Sequence, residues 1–408
     1  MLHTQRFVMK SGERYVALID ELTRIPHFAS NLFITTQVRN ASDSFASMVA
    51  AASHLVILYR FFSLRNIDLE QRCRSKEFLL PHEVDGLRDF LSYRFRKWDI
   101  CNVDQQMFSV EELLSTYGFV RKDVLYSRLT TAAKYIIWFG RRYFDHLSLE
   151  PEALGKLGEQ LFALRPSHRG RNQELSDRAL NAREQALLEQ CIEIGAAENP
   201  FGETVQARNR LMVLIEMELG VRGGELLNLR VSDCNFSDNT LLIARRADQK
   251  DDPRIYQPLV KTRERRLPVS DSLMGEIHNY VMVQRRAVRN ASRCPYLFVT
   301  HKNGPTVGKP LSISAYQKMW DVLQASLPEL RAITGHRLRH TWNYAFSEEM
   351  DALSKPPSPE RQEQMRSRWM GWKEGSGTAS LYNKRFVQKQ ANEAGLALQR
   401  KSRSRGNE

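Results

Sequence analysis

Apolar residues recur at helical spacing through much of the chain. In residues 42–62 they fall at every third or fourth position, and a serine at the start is a candidate N-cap. The same periodicity runs through 81–95, where a proline suits the first helical turn, and through 121–143. The first third of the chain is therefore predicted to be all-helical.

The periodicity breaks at residues 165–178, where the sequence RPSHRGRNQELSDR is polar and basic. Such a segment is typical of an exposed linker between domains. We therefore predict five parts: an N-terminal extension at 1–30, a helical domain at 31–164, the linker at 165–178, a second domain at 179–395 and a basic tail at 396–408.

Helical and strand-like patterns alternate in the second domain. Helix-like segments at 181–194 and 205–219 lead to Gly220, and helical patterning returns from Ser312 onward with an interruption at 355–359. Between them lie three short strand-like runs, at 240–244, 254–260 and 265–269. The predicted fold class is mainly α, with a small antiparallel β-sheet or hairpin in the C-terminal domain.

Composition adds a candidate partner. The 408 residues allow two or three domains, and 60 Lys plus Arg against 47 Asp plus Glu give a net charge of +13. A basic protein of this kind favours a polyanionic partner such as nucleic acid. An RNA-binding protein would need a platform of stacking aromatic residues, and the sequence has no recognisable one.

The cysteines and the apolar stretches bear on the cellular location. Five scattered cysteines without a C-x-x-C pair argue against a disulfide framework and against a structural zinc. The N-terminus lacks the apolar region of a secretory signal, and the most apolar stretch, 48–59, is too short to span a bilayer. These features predict a soluble, cytoplasmic protein without a membrane partner.

Three clusters in the second domain carry candidate chemistry. They are GVRGGELLNL from Gly220, with Arg222 three residues before Glu225; KTRERRLPV from Lys261; and GHRLRHTW from Gly335, with His336 one helical turn before Arg339. Each also has a plain structural reading.

Arg222 and Glu225 are spaced as a surface ion pair, and the basic turn suits a solvated hairpin tip. His336 and His340 have the spacing of a metal pair, but no acid lies between them and the intervening arginines would repel a cation. No metal site is predicted.

The order of the three clusters, followed by a late tyrosine, resembles the tyrosine recombinase (phage integrase) family. In that family a Gly-x-Arg-x-x-Glu motif supplies one arginine, a β-hairpin supplies a lysine, and a His-x-Leu-Arg-His-Thr motif supplies a histidine and a second arginine. The resemblance implies two domains, a helical core-type DNA-binding domain and an α+β catalytic domain.

The family then has a Leu-Gly-His or Leu-Gly-Trp motif before the nucleophilic tyrosine. Here Trp369-Met370-Gly371-Trp372 precedes Tyr382, the only tyrosine after Tyr344. Trp372 to Tyr382 is 10 positions, one longer than the commonest family spacing.

The resemblance assigns a role to each site residue. Tyr382 attacks the DNA phosphate, Arg222 and Arg339 hold its oxygens, and His336 assists proton transfer from the tyrosine. Lys261 on its mobile hairpin protonates the leaving 5′ oxygen, Trp372 contributes its indole N–H and packing, and Glu225 orients an active-site side chain. A phosphotyrosyl link conserves the bond energy, so rejoining needs neither ATP nor a metal, and no cofactor is expected.

The implied function is site-specific recombination by the integrase of a mobile element. The implied partners are double-stranded DNA with specific recombination sites, three further copies of the chain in a tetramer, and helper recombinases or a directionality factor. A DNA-nicking relative such as a type-IB topoisomerase uses similar groups, but the HRLRHTW motif and its spacing to Tyr382 favour recombination. The alternative from another class is a noncatalytic, sequence-specific DNA-binding protein on the same fold.

The helix-like stretch 386–398 either docks on a neighbouring protomer, as in the family, or packs on its own domain.

Overall fold

The structure is a computed structural model, and it describes residues 1–41, 44–95, 118–144, 152–167, 179–375, 391–392 and 394–399. The chain divides into two compact units, Met1–Arg171 and Asn172–Glu408. Each unit contains a large hydrophobic cluster of its own. The division falls within the polar segment 165–178, and the finer domain limits given above remain predictions.

The first unit begins with a β-hairpin, so the prediction that the first third is all-helical is wrong at its N-terminus. Strand β1 (Leu2–Val8) pairs antiparallel with β2 (Arg14–Asp20), with Leu2 opposite Asp20 and Val8 opposite Arg14. The run Arg14–Leu18 of β2 is buried throughout. Because a strand buried on both faces lacks the alternation of polar and apolar residues, the period-two signal is absent there.

The rest of the first unit is helical. Ser44 caps the long helix, accepting a hydrogen bond from the Ser47 N–H at 3.3 Å. A π-helical turn, Ile34–Arg39, follows the first helix. The α-helices are α1 (Phe28–Phe33), α2 (Phe45–Leu64), α3 (Leu69–Ser75), α4 (Pro81–Ser92), α5 (Lys122–Tyr143) and α6 (Glu152–Ala163).

Helix α2 is the central element of the first unit. It is longer than the apolar stretch 48–59, and its length and composition would allow it to cross a membrane. More than half of its most apolar window is buried, and it contacts both strands and helices α4 and α5. Its burial accounts for its apolar composition, as in the core helix of a folded domain.

The second unit is α-helical around a small sheet. Two residues of the C-terminal segment, 391–392, and the six residues 394–399 are also helical, while the remainder of the predicted stretch 386–398 lies outside the described residues. The α-helices are α7 (Ala182–Ile192), α8 (Glu203–Leu219), α9 (Gly223–Leu226), α10 (Asp271–Asn279), α11 (Ile313–Ser326), α12 (Gly335–Ala352) and α13 (Pro359–Met370).

The sheet has three antiparallel strands in the order β3 (Cys234–Asn235), β4 (Thr240–Ile243) and β5 (Arg265–Pro268). The predicted strand at 254–260 is wrong, because that run lies in the long loop between β4 and β5. Pro258 lacks a ladder donor, and the buried Arg254 bonds to Asp252 and to the carbonyls of Leu227 and Leu311. This side-chain anchoring takes the place of strand pairing.

Helix α8 crosses the core of the second unit. It packs against α7, α10 and α12, and its buried face includes Leu211, Met212 and Ile215. Its C-terminus and the N-terminus of α12 carry two of the three motifs, so this helix pair positions them.

Candidate active site

The first motif begins where α8 ends. Gly220 caps the helix in the left-handed region, with φ 62°, and a Cβ there would lie 2.8 Å from Cε of Met370. Two residues later Arg222 is the N-cap of α9, and its backbone N–H donates to Oε2 of Glu225 at 3.1 Å. The glycine therefore permits both the turn and the close approach that place Arg222 at the edge of the core.

Side chains from α12 and α13 bind three consecutive carbonyl groups at the end of α8. The indole N–H of Trp342 donates to the Glu218 carbonyl at 2.9 Å, and that of Trp369 donates to the Leu219 carbonyl at 3.1 Å. Arg339 donates to the Gly220 carbonyl at 2.6 Å. Because these carbonyls have no intrahelical partners, the three bonds hold the three segments together where the motifs meet.

Glu225 lies at the centre of the site. Its side chain is completely buried, and it accepts hydrogen bonds from Thr262 Oγ1 at 2.6 Å and from Arg265 Nη2 at 2.9 Å. Two more guanidinium groups approach it, with Arg222 Nη1 at 3.6 Å and Arg339 Nη1 at 3.8 Å. The structure thus brings both predicted arginines to the predicted glutamate.

The protonation state of Glu225 follows from these contacts. Burial by itself raises the pKa of Glu225, but the charge and hydrogen bond of Arg265, the charge of Arg339 and the hydroxyl of Thr262 together lower it below its ordinary value. Glu225 is therefore a carboxylate at neutral pH, and its negative charge holds the surrounding guanidinium groups in place.

The two arginines differ in exposure. The Arg339 side chain is 3% exposed, lies over the Trp372 ring at 5.2 Å, and donates to the Met370 carbonyl at 3.3 Å. The Arg222 side chain is 34% exposed, and its Nη1 atom is buried without a hydrogen-bond acceptor among the described residues. The Arg222 side chain is therefore partly open to an incoming anion, whereas the Arg339 side chain is enclosed.

His336 lies in the first turn of α12 and is exposed. Its Nε2 atom lies 3.1 Å from Nε2 of His340, one turn further along, so one ring donates to the other. Arg337 between them turns away to pair with Glu184 at 2.9 Å. Within the parts of the chain that the structure describes, no group of three or more His, Cys, Asp or Glu side chains is suited to a metal ion.

Lys261 is exposed on the loop that leads into β5, between buried Val260 and buried Thr262. Because 254–260 is not a strand, Lys261 does not lie in a short turn; it lies in the long loop that joins the antiparallel strands β4 and β5. The backbone N–H of Arg263 donates to the Gly371 carbonyl at 2.9 Å, which joins this loop to the segment before Trp372.

Trp372 is 7% exposed and follows Gly371, which caps α13 with φ 67°. Arg339 lies over its ring, so the structure places Trp372 beside the second predicted arginine. Tyr382, the predicted nucleophile, lies outside the described residues. Its role remains a prediction from the sequence.

Four residues of this site were not singled out from the sequence: Thr262, Arg265, Trp342 and Trp369. Thr262 and Arg265 lie within the basic turn that resembles a solvated hairpin tip. A strand places alternate side chains on opposite faces, and the burial of Leu267 in β5 identifies the face that Arg265 shares. That alternation was the signal in the sequence from which the burial of Arg265 could have been predicted.

Comparison with known proteins supports the resemblance. Residues 183–354 match the Phage integrase family. Transposase A from transposon Tn554 of Staphylococcus aureus is 29% identical over 150 residues, 34% of this chain and 38% of the relative. Tyrosine recombinase XerA of Pyrococcus furiosus is 28% identical over 136 residues, 33% of this chain and 39% of the relative. The chain thus spans about two fifths of the length of these relatives.

Solved structures with similar chains include two recombinases. The Tn1549 transposon integrase in complex with circular intermediate DNA has a TM-score of 0.43 and 12% identity, over 77% of this chain and 93% of that chain. XerA recombinase has a TM-score of 0.35 and 15% identity, over 88% of this chain and 96% of that chain.

The match to residues 183–354 contains Arg222, Glu225, Lys261, His336 and Arg339 in the order that the resemblance requires. It ends before Trp372 and Tyr382. Residues 183–354 of the second unit are therefore similar to the phage integrase, or tyrosine recombinase, family.

Proposed function

We propose that this protein is a site-specific DNA recombinase, the integrase of a mobile element, which cuts and rejoins DNA through a 3′-phosphotyrosyl intermediate. The observation that carries the proposal is the position of Arg222 and Arg339 beside the two oxygens of the buried Glu225 carboxylate, with the Arg222 side chain partly exposed. A fixed pair of guanidinium groups suits the nonbridging oxygens of a phosphodiester.

The chemistry assigns a different group to each proton and each oxygen. Tyr382 Oη attacks phosphorus, and His336 assists the transfer of the tyrosine proton. The bond from phosphorus to the 5′ oxygen breaks. Lys261 supplies a proton to that departing oxygen. Arg222 and Arg339 stabilise the charge that develops on the phosphoryl oxygens, which is the largest electrostatic requirement of the step. Trp372 packs beneath Arg339 and keeps it in place.

The 5′ hydroxyl of another strand then attacks the phosphotyrosyl bond and releases Tyr382. Because this exchange needs two paired sites, the proposed assembly is a tetramer on double-stranded DNA. The proposed N-terminal partner of the catalytic domain is the helical DNA-binding domain at 31–164. Directional control falls to helper recombinases or a directionality factor. The net charge of +13 supports binding to the DNA backbone.

Covalent trapping tests this function. A duplex with the sequence of the element's end, nicked beside the cleavage site, lets the short 5′ hydroxyl fragment diffuse away after attack. The wild-type protein should give a DNA-linked band in a denaturing gel, and Tyr382→Phe should bind the duplex but give no band. Tight binding without a band for the wild type would contradict the proposal and favour the noncatalytic DNA-binding protein.

A further inference from the structure

We propose that Arg265 is a positioning residue for Lys261, the proposed donor of the leaving-group proton. The inference rests on the function proposed above. It assigns to Arg265 the placement of the lysine loop against the two phosphate-binding arginines.

Arg265 makes three contacts with three different segments. Its Nη2 atom bonds to Glu225 Oε2 at 2.9 Å, its Nη1 atom bonds to Thr262 Oγ1 at 3.0 Å, and its Nε atom bonds to the Trp369 carbonyl at 2.5 Å. The side chain is only 7% exposed. A planar guanidinium has a fixed set of donor directions, so these contacts define the relative positions of all three segments.

The contact with Thr262 reaches the residue next to Lys261. Thr262 itself donates to the other oxygen of Glu225 at 2.6 Å, so Arg265, Thr262 and Glu225 form a closed triangle. The peptide that follows Lys261 is thereby fixed to the carboxylate that Arg222 and Arg339 approach.

The close packing at Gly371 strengthens this placement. A Cβ at Gly371 would lie 2.9 Å from Arg265 Nη1 and 2.9 Å from the Thr262 Cβ. The glycine lets the chain before Trp372 lie directly on the Arg265–Thr262 pair. A shift of the lysine loop would therefore disturb both Arg265 and the segment before Trp372.

This arrangement places the function of Arg265 in one step of the reaction. Loss of its contacts should leave phosphate binding by Arg222 in place and move Lys261 away from the leaving oxygen. The defect should then appear in protonation of the leaving group and not in nucleophilic attack.

A DNA substrate with sulfur in place of the bridging 5′ oxygen isolates that step. A thiol ionises near pH 8.5, so the departing sulfur needs no proton donor. The variants are Arg265→Lys, which keeps the charge but loses the planar fork, and Thr262→Val, which removes only the hydroxyl. Arg266→Lys and Thr262→Ser are the matched controls, because Arg266 is exposed on the opposite face of β5.

Arg265→Lys and Thr262→Val should each slow cleavage of the oxygen substrate by about 10- to 100-fold, since general acid catalysis is worth about 100-fold or more. Both should cleave the sulfur substrate within a few-fold of the wild type, as should Lys261→Ala. Arg222→Lys should be slow on both substrates. The two controls should keep the wild-type ratio of the two rates.

The inference would be overturned if Arg265→Lys and Thr262→Val slowed cleavage of both substrates equally, or slowed cleavage of neither. In both cases cleavage by the wild-type protein would still support the proposed function. A wild-type protein that cleaves neither substrate would overturn both. Thermal unfolding of each variant identifies a loss of folding, and Thr262→Val, which changes no charge, keeps the test decisive if Arg265→Lys fails to fold.

Discussion

The Tyr316 hydroxyl donates a 2.6 Å hydrogen bond to Oε1 of Glu216 in the core of the second unit. Glu216 belongs to α8 and is completely buried, and Tyr316 belongs to α11. A Cβ at Gly335 would lie 2.2 Å from the tyrosine oxygen and 2.4 Å from Glu216 Oε1, and one at Gly223 would lie 2.6 Å from the ring. The Tyr316–Glu216 pair therefore packs against Gly335, the residue before His336, and the Tyr316 ring packs against Gly223, the residue after Arg222.

Gly335→Ala should destabilise the second unit and displace the N-terminus of α12. The added methyl group meets a buried ring and a buried carboxyl, and overpacking of a core costs about 1–3 kcal/mol. We expect a lower urea midpoint for unfolding and a loss of strand cleavage greater than tenfold, because His336 is the next residue.

The control is Gly275→Ala in α10, where a Cβ meets nothing within 4 Å. Alanine is favoured over glycine in a helix by about 0.5–1 kcal/mol, so this variant should be slightly more stable than the wild type. If Gly335→Ala unfolds at the wild-type midpoint and keeps its activity, the close packing described here is wrong.

Glu216→Gln should make the free energy of unfolding less dependent on pH. Burial raises the pKa of Glu216 to about 8, against the opposing hydrogen bond from Tyr316. The folded state thus retains a proton that the unfolded state loses above its ordinary pKa of about 4.3, so wild-type stability falls as pH rises toward 8.

Glutamine keeps the size and the acceptor of the neutral acid. The difference in unfolding free energy between Glu216→Gln and the wild type should increase in favour of the variant from pH 5 to pH 8.5. Each unit of pKa shift corresponds to about 1.4 kcal/mol, so the change should reach a few kcal/mol. Urea unfolding at several pH values measures it, and a constant difference across this range would refute the raised pKa.

Strand cleavage should persist after chelation of divalent ions. The groups that meet the phosphate in the proposed site are guanidinium and imidazole groups, which stay in place without a metal. With an excess of EDTA, the rate of covalent complex formation should remain within about twofold of the untreated rate, whereas metal-assisted phosphoryl transfer would stop. Strict dependence on added Mg²⁺ would contradict the proposed chemistry.

Local patterns in the sequence predicted several of the helices. Periodicity, together with a serine near the start of α2 and the glycine after Leu219, identifies α2 and α8 to within a few residues, because these signals depend on neighbours along the chain. The strand at 254–260 was wrong because Arg254 anchors that loop to carbonyls far away in the sequence. Such contacts leave no local pattern.

The candidate site shows the same division. Arg222, Glu225 and Arg339 stand in recognisable motifs, and the structure brings them together. Arg265 was missed, since an arginine in a basic turn has the pattern of a solvated residue. Its burial depends on Glu225, which lies 40 positions earlier in the chain. Charged residues buried by a distant partner cannot be distinguished from surface charges by spacing alone.

The identity of the residue that becomes linked to DNA tests the central claim most directly. Trypsin should release residues 374–384, EGSGTASLYNK, a peptide that contains one tyrosine besides two serines and one threonine. After trapping on the nicked duplex and nuclease digestion, mass spectrometry of this peptide locates the remaining nucleotide. The account predicts a phosphodiester on Tyr382 and none in Tyr382→Phe. A nucleotide on a serine or threonine, or on any other peptide, would contradict it.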